Sequence, residues 1–226
     1  MRISVMGTGM VGQILAGRLD KLGHEIVVGT RDVDATLART TPDVMDNPPF
    51  STWAPSYPGV RLATFAEAAA QGELVVNATA GIASIDVLHA AGASNLAGKV
   101  LLDLANPLDF AGGFPPGLFV KDTDSLGEQI QRAFPEARVV KTLNTLNAYL
   151  MVDPEQLAAG EHTVFVSGDD QDAKDVTGRL LAELGHRDVV DLGDLSTARG
   201  TEMVMPLLFR LWGALGTQTL NVKIVR

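Results

Sequence analysis

A glycine-rich loop near the start of the chain constrains its fold more than any other feature of the sequence. Residues 7–12 read Gly-Thr-Gly-Met-Val-Gly, directly after the apolar run Ile3–Met6 and at the start of a helical pattern over 10–22. In such a loop the first glycine permits a tight turn, the second lets the backbone approach a pyrophosphate, and the third permits close helix–strand packing. The amides and the positive dipole end of the helix attract phosphate. The predicted dinucleotide-binding residues are Gly7, Thr8, Gly9, Met10, Val11 and Gly12.

Short apolar runs alternate with helical patterns along most of the chain. Strands are predicted at 3–6, 25–28, 60–63, 74–78, 99–104 and 138–141, and the helices between them at 10–22, 34–40, 65–71, 84–91 and 125–134. Repeated strand–helix–strand alternation indicates an α/β fold with a Rossmann-type, doubly wound and mostly parallel sheet.

A smaller pattern follows towards the end of the chain. It contains strands at 162–167 and 188–191, a helix at 173–184 and a long helix from 197 to about 215. We therefore predict a dinucleotide-binding domain over residues 1–148 and a small C-terminal α/β lobe over residues 149–226 packed on it.

The end of the second predicted strand indicates which dinucleotide is bound. It reads Val-Val-Gly-Thr-Arg-Asp, and an NAD site usually has a carboxylate where Gly29 and Thr30 stand. The hydroxyl of Thr30 and the guanidinium of Arg31 suit the 2′-phosphate of NADP, which a carboxylate would repel. Asp32 and Asp34 leave an alternative open, because either could bind the ribose if the strand ends later, or cap the next helix. We predict NADP.

Small residues and amides follow three further predicted strands, at the edge where an open α/β sheet binds its ligand. Each cluster taken alone could be an ordinary loop cap, but three clusters at three strand ends favour the lining of a nicotinamide and its ribose. The candidate residues are Asn77, Ala78, Thr79, Asn106, Pro107, Asn144 and Asn147.

No residue is identified as a catalytic acid, and no metal site is predicted. Asp103 and Lys141 lie in or near core strands and could be a proton donor and its partner, although a structural ion pair is the favoured interpretation. Arg199 and Glu202, three residues apart on a predicted helix, are interpreted as a fold-stabilising pair. The four histidines stand apart in the sequence and lack the spacing of metal ligands.

Composition excludes several classes of function. The 18 Lys and Arg against 27 Asp and Glu give a formal net charge of −9, without the basic stripe that nucleic acid requires. The chain has no cysteine, which excludes disulfides, iron–sulfur clusters and a thiol nucleophile. The first apolar run is too short for a signal peptide, and the apolar stretch 203–220 is interrupted by Arg210. We therefore expect a cytoplasmic protein with no membrane partner.

Several runs of the sequence resemble the family of NADPH:coenzyme F420 oxidoreductases. They are HEIVVGTR over 24–31, VVKTLNT over 139–145, FVSGDDQDAK over 165–174 and DLGDLSTARGTE over 191–202. The later runs are also similar to the NADPH-binding domain of STEAP-type metalloreductases. The resemblance covers nearly the whole chain, and its terminal runs are more specific than the glycine loop because other Rossmann enzymes generally lack them.

The resemblance implies an enzyme that transfers a hydride between NADPH and a deazaflavin, coenzyme F420, or a flavin-like acceptor. It implies NADP at the loop, Thr30 and Arg31, with the nicotinamide near 77–79 and Asn106 and with 144–147 close to it. An acceptor ring that delocalises charge and takes its proton from water needs positioning more than a dedicated acid. The alternatives are an NADPH-dependent reductase of a small carbonyl or imine, a reductase of flavin or ferric iron, and a non-catalytic NADP-binding module.

One segment departs from the family pattern. Residues 41–60 hold five prolines among Phe50, Trp53 and Tyr57, and this density predicts a long loop that we interpret as a lid or a subunit contact. The apolar helix predicted from Thr197 and the tail 221–226 suit a homodimer interface.

Overall fold

An eight-stranded sheet organises the chain in the computed structural model, which describes residues 1–43 and 46–226. The strands are β1 (Arg2–Met6), β2 (Glu25–Thr30), β3 (Arg61–Thr64), β4 (Leu74–Asn77), β5 (Val100–Asp103), β6 (Leu108–Asp109), β7 (Gly117–Leu118), β8 (Arg138–Thr142), β9 (Thr163–Gly168) and β10 (Asp188–Asp191). The sheet order is β10-β9-β8-β5-β4-β1-β2-β3, and β6 and β7 form a separate antiparallel hairpin. Neighbouring strands are parallel except β8 and β9, which confirms the predicted α/β class.

Helices connect the strands and cover the sheet. They are α1 (Met10–Lys21), α2 (Val33–Ala38), α3 (Phe50–Trp53), α4 (Phe65–Gln71), α5 (Ser84–Ala91), α6 (Ala93–Leu96), α7 (Leu126–Ala133), α8 (Ala148–Val152), α9 (Gln171–Leu184), α10 (Ala198–Met203) and α11 (Met205–Leu215). Short 3-10 turns lie at Ala54–Ser56, Gly81–Ala83, Pro154–Gln156, Ala158–Gly160 and Leu195–Thr197. None of the helices within the described residues is long and apolar enough to cross a membrane.

The core is divided by the sheet into two hydrophobic clusters. Val5 and Val28 belong to a cluster with Leu15 of α1, whereas Val27 and Val75 belong to another cluster that includes residues of α4. Successive strand residues point to opposite faces of a sheet, so a strand covered on both sides is apolar at most positions. This is why the central strands appear in the sequence as mainly apolar runs, in which polar residues such as Ser4 and Lys141 are buried and hydrogen-bonded.

The last third of the chain extends the same sheet. β9 pairs antiparallel with β8, and β10 pairs parallel with β9. Thr163 at the start of β9 therefore lies towards the edge where β8 ends at Thr142. The domain boundary at residue 148 stays a prediction, and strands from both sides of it share one sheet.

Two expectations about helices were wrong. The helix predicted from 197 to about 215 is broken at Val204 into α10 and α11, because Pro206 occupies the first turn of α11 and cannot continue a preceding helix. The segment 41–60 is not loop throughout, since α3 and a 3-10 turn lie within it; residues 44 and 45 of that segment lie outside the described residues. Pro49 and Pro55 stand at the starts of these two elements, where a proline needs no amide partner.

Candidate functional site

The glycine loop joins β1 to α1 at the carboxyl edge of the parallel strands. Gly7 has φ +117°, donates its N–H to the Gly29 carbonyl at 3.1 Å, and would place a Cβ 2.9 Å from the Ala78 carbonyl oxygen. At Gly12 a Cβ would lie 2.2 Å from the Gly7 carbonyl oxygen. A Cβ at Gly9 would meet no described atom within 4 Å. Two of the glycines thus permit close packing, and the third presents backbone to open space.

The end of β2 supplies a hydroxyl and a guanidinium beside this loop. β2 continues to Thr30, two residues further than expected, and the buried Thr30 hydroxyl lies 2.7 Å from the Thr36 hydroxyl. Asp32 caps α2, because its Oδ1 accepts a hydrogen bond from the Ala35 N–H at 2.9 Å. Arg31 is exposed, and within the described residues its side chain makes no ion pair.

A cavity of about 290 Å³ opens between the loop, the end of β2 and part of the proline-rich segment. Its lining includes polar groups from all three. The lining residues are Thr8, Gly9, Gln13, Thr30, Arg31, Asp32, Ala35, Thr36, Arg39, Asp43, Asn47, Pro48, Pro49 and Phe50.

Gln13 is a site residue that the sequence analysis missed. Its side chain is 4% exposed, and its Nε2 donates to the Thr8 carbonyl at 2.8 Å and to the Pro48 carbonyl at 3.0 Å. The sequence does hold an indication of this role: Gln13 lies on the face of α1 that includes the buried Ala16. A buried polar side chain needs hydrogen-bond partners, so a glutamine there predicts a specific contact.

The residues expected near the nicotinamide begin with Asn77 at the end of β4. Its Nδ2 donates to Asp103 Oδ1 at 2.8 Å and to Ser84 Oγ at 3.0 Å, and its Oδ1 accepts from Thr79 Oγ1 at 2.7 Å. Asn77 is completely buried, so its amide faces protein groups, whereas Ala78 and Thr79 are half-buried at the edge beside Gly7.

A reciprocal amide pair joins the loops after β5 and β8. Asn106 Nδ2 donates to the Asn144 carbonyl at 2.7 Å, and Asn144 Nδ2 donates to Asn106 Oδ1 at 2.9 Å and to the Thr201 carbonyl at 3.0 Å. Pro107 is buried and its carbonyl accepts the Phe119 N–H at 2.9 Å. The pair brings two predicted site residues together and connects them to α10.

Asn147 stands apart from that pair. Its Oδ1 accepts the N–H groups of Tyr149 and Leu150 at 3.0 Å each, which caps α8, and its Nδ2 donates to the Gln218 carbonyl at 2.6 Å. All of these side-chain hydrogen bonds go to protein partners.

A buried cluster of three charges lies beneath this edge. Lys141 Nζ is 2.8 Å from Asp103 Oδ2 and 2.7 Å from Glu202 Oε1, and it also donates to the Ala105 carbonyl. Burial lowers the pKa of Lys141, but the two carboxylates outweigh it and hold that pKa above its ordinary value. Burial raises the pKa of Glu202, against the lowering effect of Lys141. The favoured structural ion pair of Asp103 and Lys141 is therefore present, with Glu202 added.

The pair expected between Arg199 and Glu202 does not form. Arg199 Nε instead donates to Glu128 Oε2 at 2.8 Å, while Glu202 accepts the N–H of Leu126 at 2.8 Å at the start of α7. On α10 the two side chains contact different neighbours, because Glu202 faces the interior and Arg199 is half-buried.

Two of the four histidines, separate in sequence, meet in the fold. His162 and His186 are buried with ring centroids 6.4 Å apart, and their Nε2 atoms lie 3.1 Å from the Pro154 carbonyl and 3.0 Å from the Met151 carbonyl. Burial lowers the pKa of His186. Among the described residues, no group of three or more His, Cys, Asp or Glu side chains could hold a metal ion.

Comparison with known proteins places this geometry in context. A family model described as NADP oxidoreductase, coenzyme F420-dependent, matches residues 2–107. A solved structure from Arthrobacter sp. FB24, named "putative F420 dependent NADP-reductase", is 62% identical to this chain with a TM-score of 0.95, and each chain covers 100% of the other.

Curated relatives are more distant. The F420-dependent NADP reductase of Methanothermobacter marburgensis is 28% identical over 220 residues, which are 93% of this chain and 92% of that protein. The metalloreductase STEAP3 of Rattus norvegicus is 26% identical over 212 residues, which are 93% of this chain but 38% of that protein. The chain thus spans less than half the length of STEAP3.

Proposed function

The chain belongs to the family of coenzyme F420-dependent NADP oxidoreductases, and on that premise we propose that it transfers a hydride between NADPH and coenzyme F420. The single observation that most supports the proposal is the cavity in which the open backbone at Gly9 meets the Thr30 hydroxyl and the Arg31 guanidinium. A pyrophosphate needs backbone donors at a helix start, and a 2′-phosphate needs a cation and hydroxyl donors. The cavity provides both.

The proposed cofactor position follows from these groups. The amides of residues 9–12 would hold the pyrophosphate, and Thr30 and Arg31 the 2′-phosphate. The nicotinamide end would then lie towards Ala78, Thr79 and the loop of Asn106, because those residues share the carboxyl edge of the sheet with the glycine loop.

The side-chain amides would contribute by holding the surrounding loops in place. Asn77, Asn144 and Asn147 make their side-chain hydrogen bonds to protein groups, so we assign them the role of fixing the loops around the nicotinamide. NADPH supplies the hydride, and the acceptor takes it at a ring atom and a proton from water. A reaction of this kind gains most from fixed geometry and excluded water, and we assign no side chain as proton donor.

An exposed aromatic surface on the segments that follow the Asn106 loop and α10 suits a flat acceptor. Phe114, 58% exposed, lies with its ring centroid 5.6 Å from that of Phe209 and 5.3 Å from that of Trp212. The hairpin that carries Phe114 follows the Asn106 loop, and α11 follows α10, which holds Asn144 through Thr201. We propose that the acceptor ring contacts this aromatic surface, and the substitution Phe114→Ala should raise the KM for the acceptor without changing that for NADPH.

The direct test mixes enzyme, NADPH and oxidised F420 under anaerobic conditions and follows the visible absorbance of the deazaflavin. Bleaching that requires enzyme supports the proposal, and Arg31→Ala should raise the KM for NADPH with little change in kcat at saturation. An enzyme that binds NADPH but bleaches no F420 at any pH would exclude F420 as the acceptor.

The similarity to STEAP3 favours a second candidate, the reduction of a flavin that passes electrons to ferric iron. Oxidation of NADPH in the presence of FMN or FAD and a ferric chelate, without reaction with F420, would favour it. Turnover with a small ketone or imine would favour the carbonyl or imine alternative, and tight NADPH binding with no turnover on any of these acceptors a non-catalytic module.

We also propose that the protein is a cytoplasmic homodimer. Of the 11 residues of α11 only Leu208 is buried, while Leu207 and Leu215 are 55% and 63% exposed, so an apolar helix lies largely uncovered in one chain. Sedimentation equilibrium should give twice the chain mass, and Leu207→Lys with Leu215→Lys should give the monomer.

A further inference from the structure

The outer wall of the cofactor cavity comes from the proline-rich segment. We define the proline wall as Asn47, Pro48, Pro49 and Phe50, all of which line the cavity opposite the end of β2. Gln13 connects this wall to the phosphate loop, because one amide nitrogen donates to carbonyls of Thr8 and Pro48. The same side chain thus contacts both sides of the cavity.

The proline wall is fixed from behind by stacked aromatic rings. Phe50 is 4% exposed and lies 5.2 Å from Trp53 between ring centroids, and Trp53 stacks on Tyr57 at 4.5 Å. Tyr57 packs on α1, where a Cβ at Gly17 would come within 2.7 Å of its ring. Wall and phosphate loop are therefore both held on the same helix, and the cavity between them has a preformed shape.

A second arginine belongs to the lining of the cavity. Arg39, which follows the last residue of α2, lines the cavity with Arg31 and is exposed. Within residues 1–43 and 46–226 neither guanidinium makes an ion pair. Two lining arginines without an ion pair among the described residues favour a doubly charged anion.

Two carboxylates also line the cavity, and both accept hydrogen bonds from nearby protein groups. Asp32 accepts a hydrogen bond from the Ala35 N–H. Asp43 accepts hydrogen bonds from the backbone N–H and from the side-chain Nδ2 of Asn47, at 3.0 Å each. Each carboxylate therefore stabilises nearby backbone. Asp32 caps α2, and Asp43 fixes Asn47 at the start of the proline wall. The hydroxyls of Thr30 and Thr36 complete the polar lining.

We propose that Arg39 is a second ligand of the 2′-phosphate and that the proline wall holds the adenosine, with Gln13 as the residue that positions the wall. This inference rests on the NADP part of the proposed function and extends it. Arg39 would add specificity for the 2′-phosphate, and the proline wall, part of the proline-rich segment, would bind the adenosine. It replaces the earlier interpretation of this segment as a lid or subunit contact.

Calorimetry with two probes tests the proposal without any electron acceptor. The probes are adenosine 2′,5′-bisphosphate and ADP, which share the adenosine and differ in where the second phosphate is attached. We expect Arg39→Gln to weaken the bisphosphate about tenfold and to leave ADP nearly unchanged. The matched control Arg61→Gln, at the amino end of β3 and outside the cavity lining, should change neither affinity. Equal loss for both probes, or no loss, in Arg39→Gln would overturn the assignment.

Gln13→Met tests the wall, since methionine keeps the volume but donates no hydrogen bond. We expect both probes to bind several-fold more weakly, and the KM for NADPH to rise while kcat at saturation is retained. A lower Tm with unchanged affinity for both probes would reduce Gln13 to a structural role and contradict the proposal.

The binding measurements and the F420 assay distinguish a failure of this inference from a failure of the proposed reaction. If the bisphosphate binds in an Arg39-dependent way and F420 is not reduced, the inference holds and F420 is the wrong acceptor. If F420 is reduced by NADPH and Arg39→Gln changes neither probe, the reaction holds and the inference fails.

Discussion

The ammonium group of Lys141 is enclosed by acceptors from two distant parts of the chain, residues 103–105 and Glu202. Its side chain has no exposed surface, and Asp103, Glu202 and the Ala105 carbonyl all accept from it. Two carboxylates can lie in this interior only while a positive charge stands between them. The cluster connects β5, β8 and α10 at the edge proposed to hold the nicotinamide.

Removing that charge should therefore be costly. We expect Lys141→Met to lower the free energy of unfolding by about 3–5 kcal/mol, because it leaves two buried carboxylates facing each other. Urea denaturation measures the change. The control Lys223→Met removes an ammonium group that is 46% exposed and 3.5 Å from Asp188, and should change stability by less than about 0.5 kcal/mol. Equal losses in the free energy of unfolding for the two substitutions would contradict the view that the buried cluster stabilises the fold.

His186 makes stability depend on pH. Burial lowers its pKa in the folded state, with a smaller contribution from His162, so the unfolded chain binds the proton more readily. The free energy of unfolding should thus be fully retained above about pH 6.5, the ordinary pKa of histidine, and should fall as the pH decreases below it. His186→Gln should flatten this dependence in urea titrations at several pH values. His89→Gln, which alters an exposed histidine, should leave it unchanged.

Among the secondary-structure elements, α1 supports both sides of the cavity proposed to hold the cofactor. Its first turn carries the glycine loop, Gln13 holds the proline wall, and Gly17 gives room to Tyr57 behind that wall. The helix therefore connects binding of phosphate with the placement of a segment far along the chain.

The two mid-helix glycines of α1 and α9 should respond oppositely to alanine. At Gly17 a Cβ would meet the Tyr57 ring at 2.7 Å, and at Gly178 it would meet no described atom within 4 Å. We expect Gly17→Ala to destabilise by about 1–2 kcal/mol, because the steric clash exceeds the gain in helix propensity. Gly178→Ala should stabilise by up to about 1 kcal/mol. Thermal unfolding compares the two, and stabilisation by Gly17→Ala would show that Tyr57 moves without cost.

In the molecule as a whole, the net charge of −9 opposes the binding of anions, whereas the cavity lining includes two arginines beside two carboxylates that accept hydrogen bonds from the protein. Screening at about 0.1 M salt acts over roughly 10 Å, so added salt weakens the repulsion from distant charges and the attraction inside the cavity to different degrees. Which contribution dominates decides the sign of the salt dependence.

We expect the local cations to dominate. The affinity for NADPH should fall by about threefold or more between low and high salt, and Arg39→Gln should reduce that dependence. Calorimetry at a series of sodium chloride concentrations measures both. Affinity that rises with salt would mean that the acidic surface outweighs the cavity, and would speak against Arg31 and Arg39 as phosphate ligands.

Features that depend on neighbouring residues in the chain can be recognised in the amino-acid sequence. The glycine loop and the alternation of strands and helices follow from local spacing, from which glycine positions and apolar periodicity can be recognised. The end of β2 does not, since the strand continues two residues beyond the predicted end to Thr30. The helix break at Val204 was also encoded locally, in Pro206, although the apolar pattern across it predicted one helix.

Contacts between side chains of distant segments become apparent in the folded chain. Glu202 contacts Lys141 rather than Arg199, Gln13 reaches Pro48, and the proline-rich segment forms a wall of the cofactor cavity. Spacing along the chain cannot determine such pairs, because a long polar side chain has several partners of suitable chemistry and the fold selects the one that lies within hydrogen-bond distance. Local pattern thus predicts a phosphate-binding loop, and long-range packing determines which residues surround that loop.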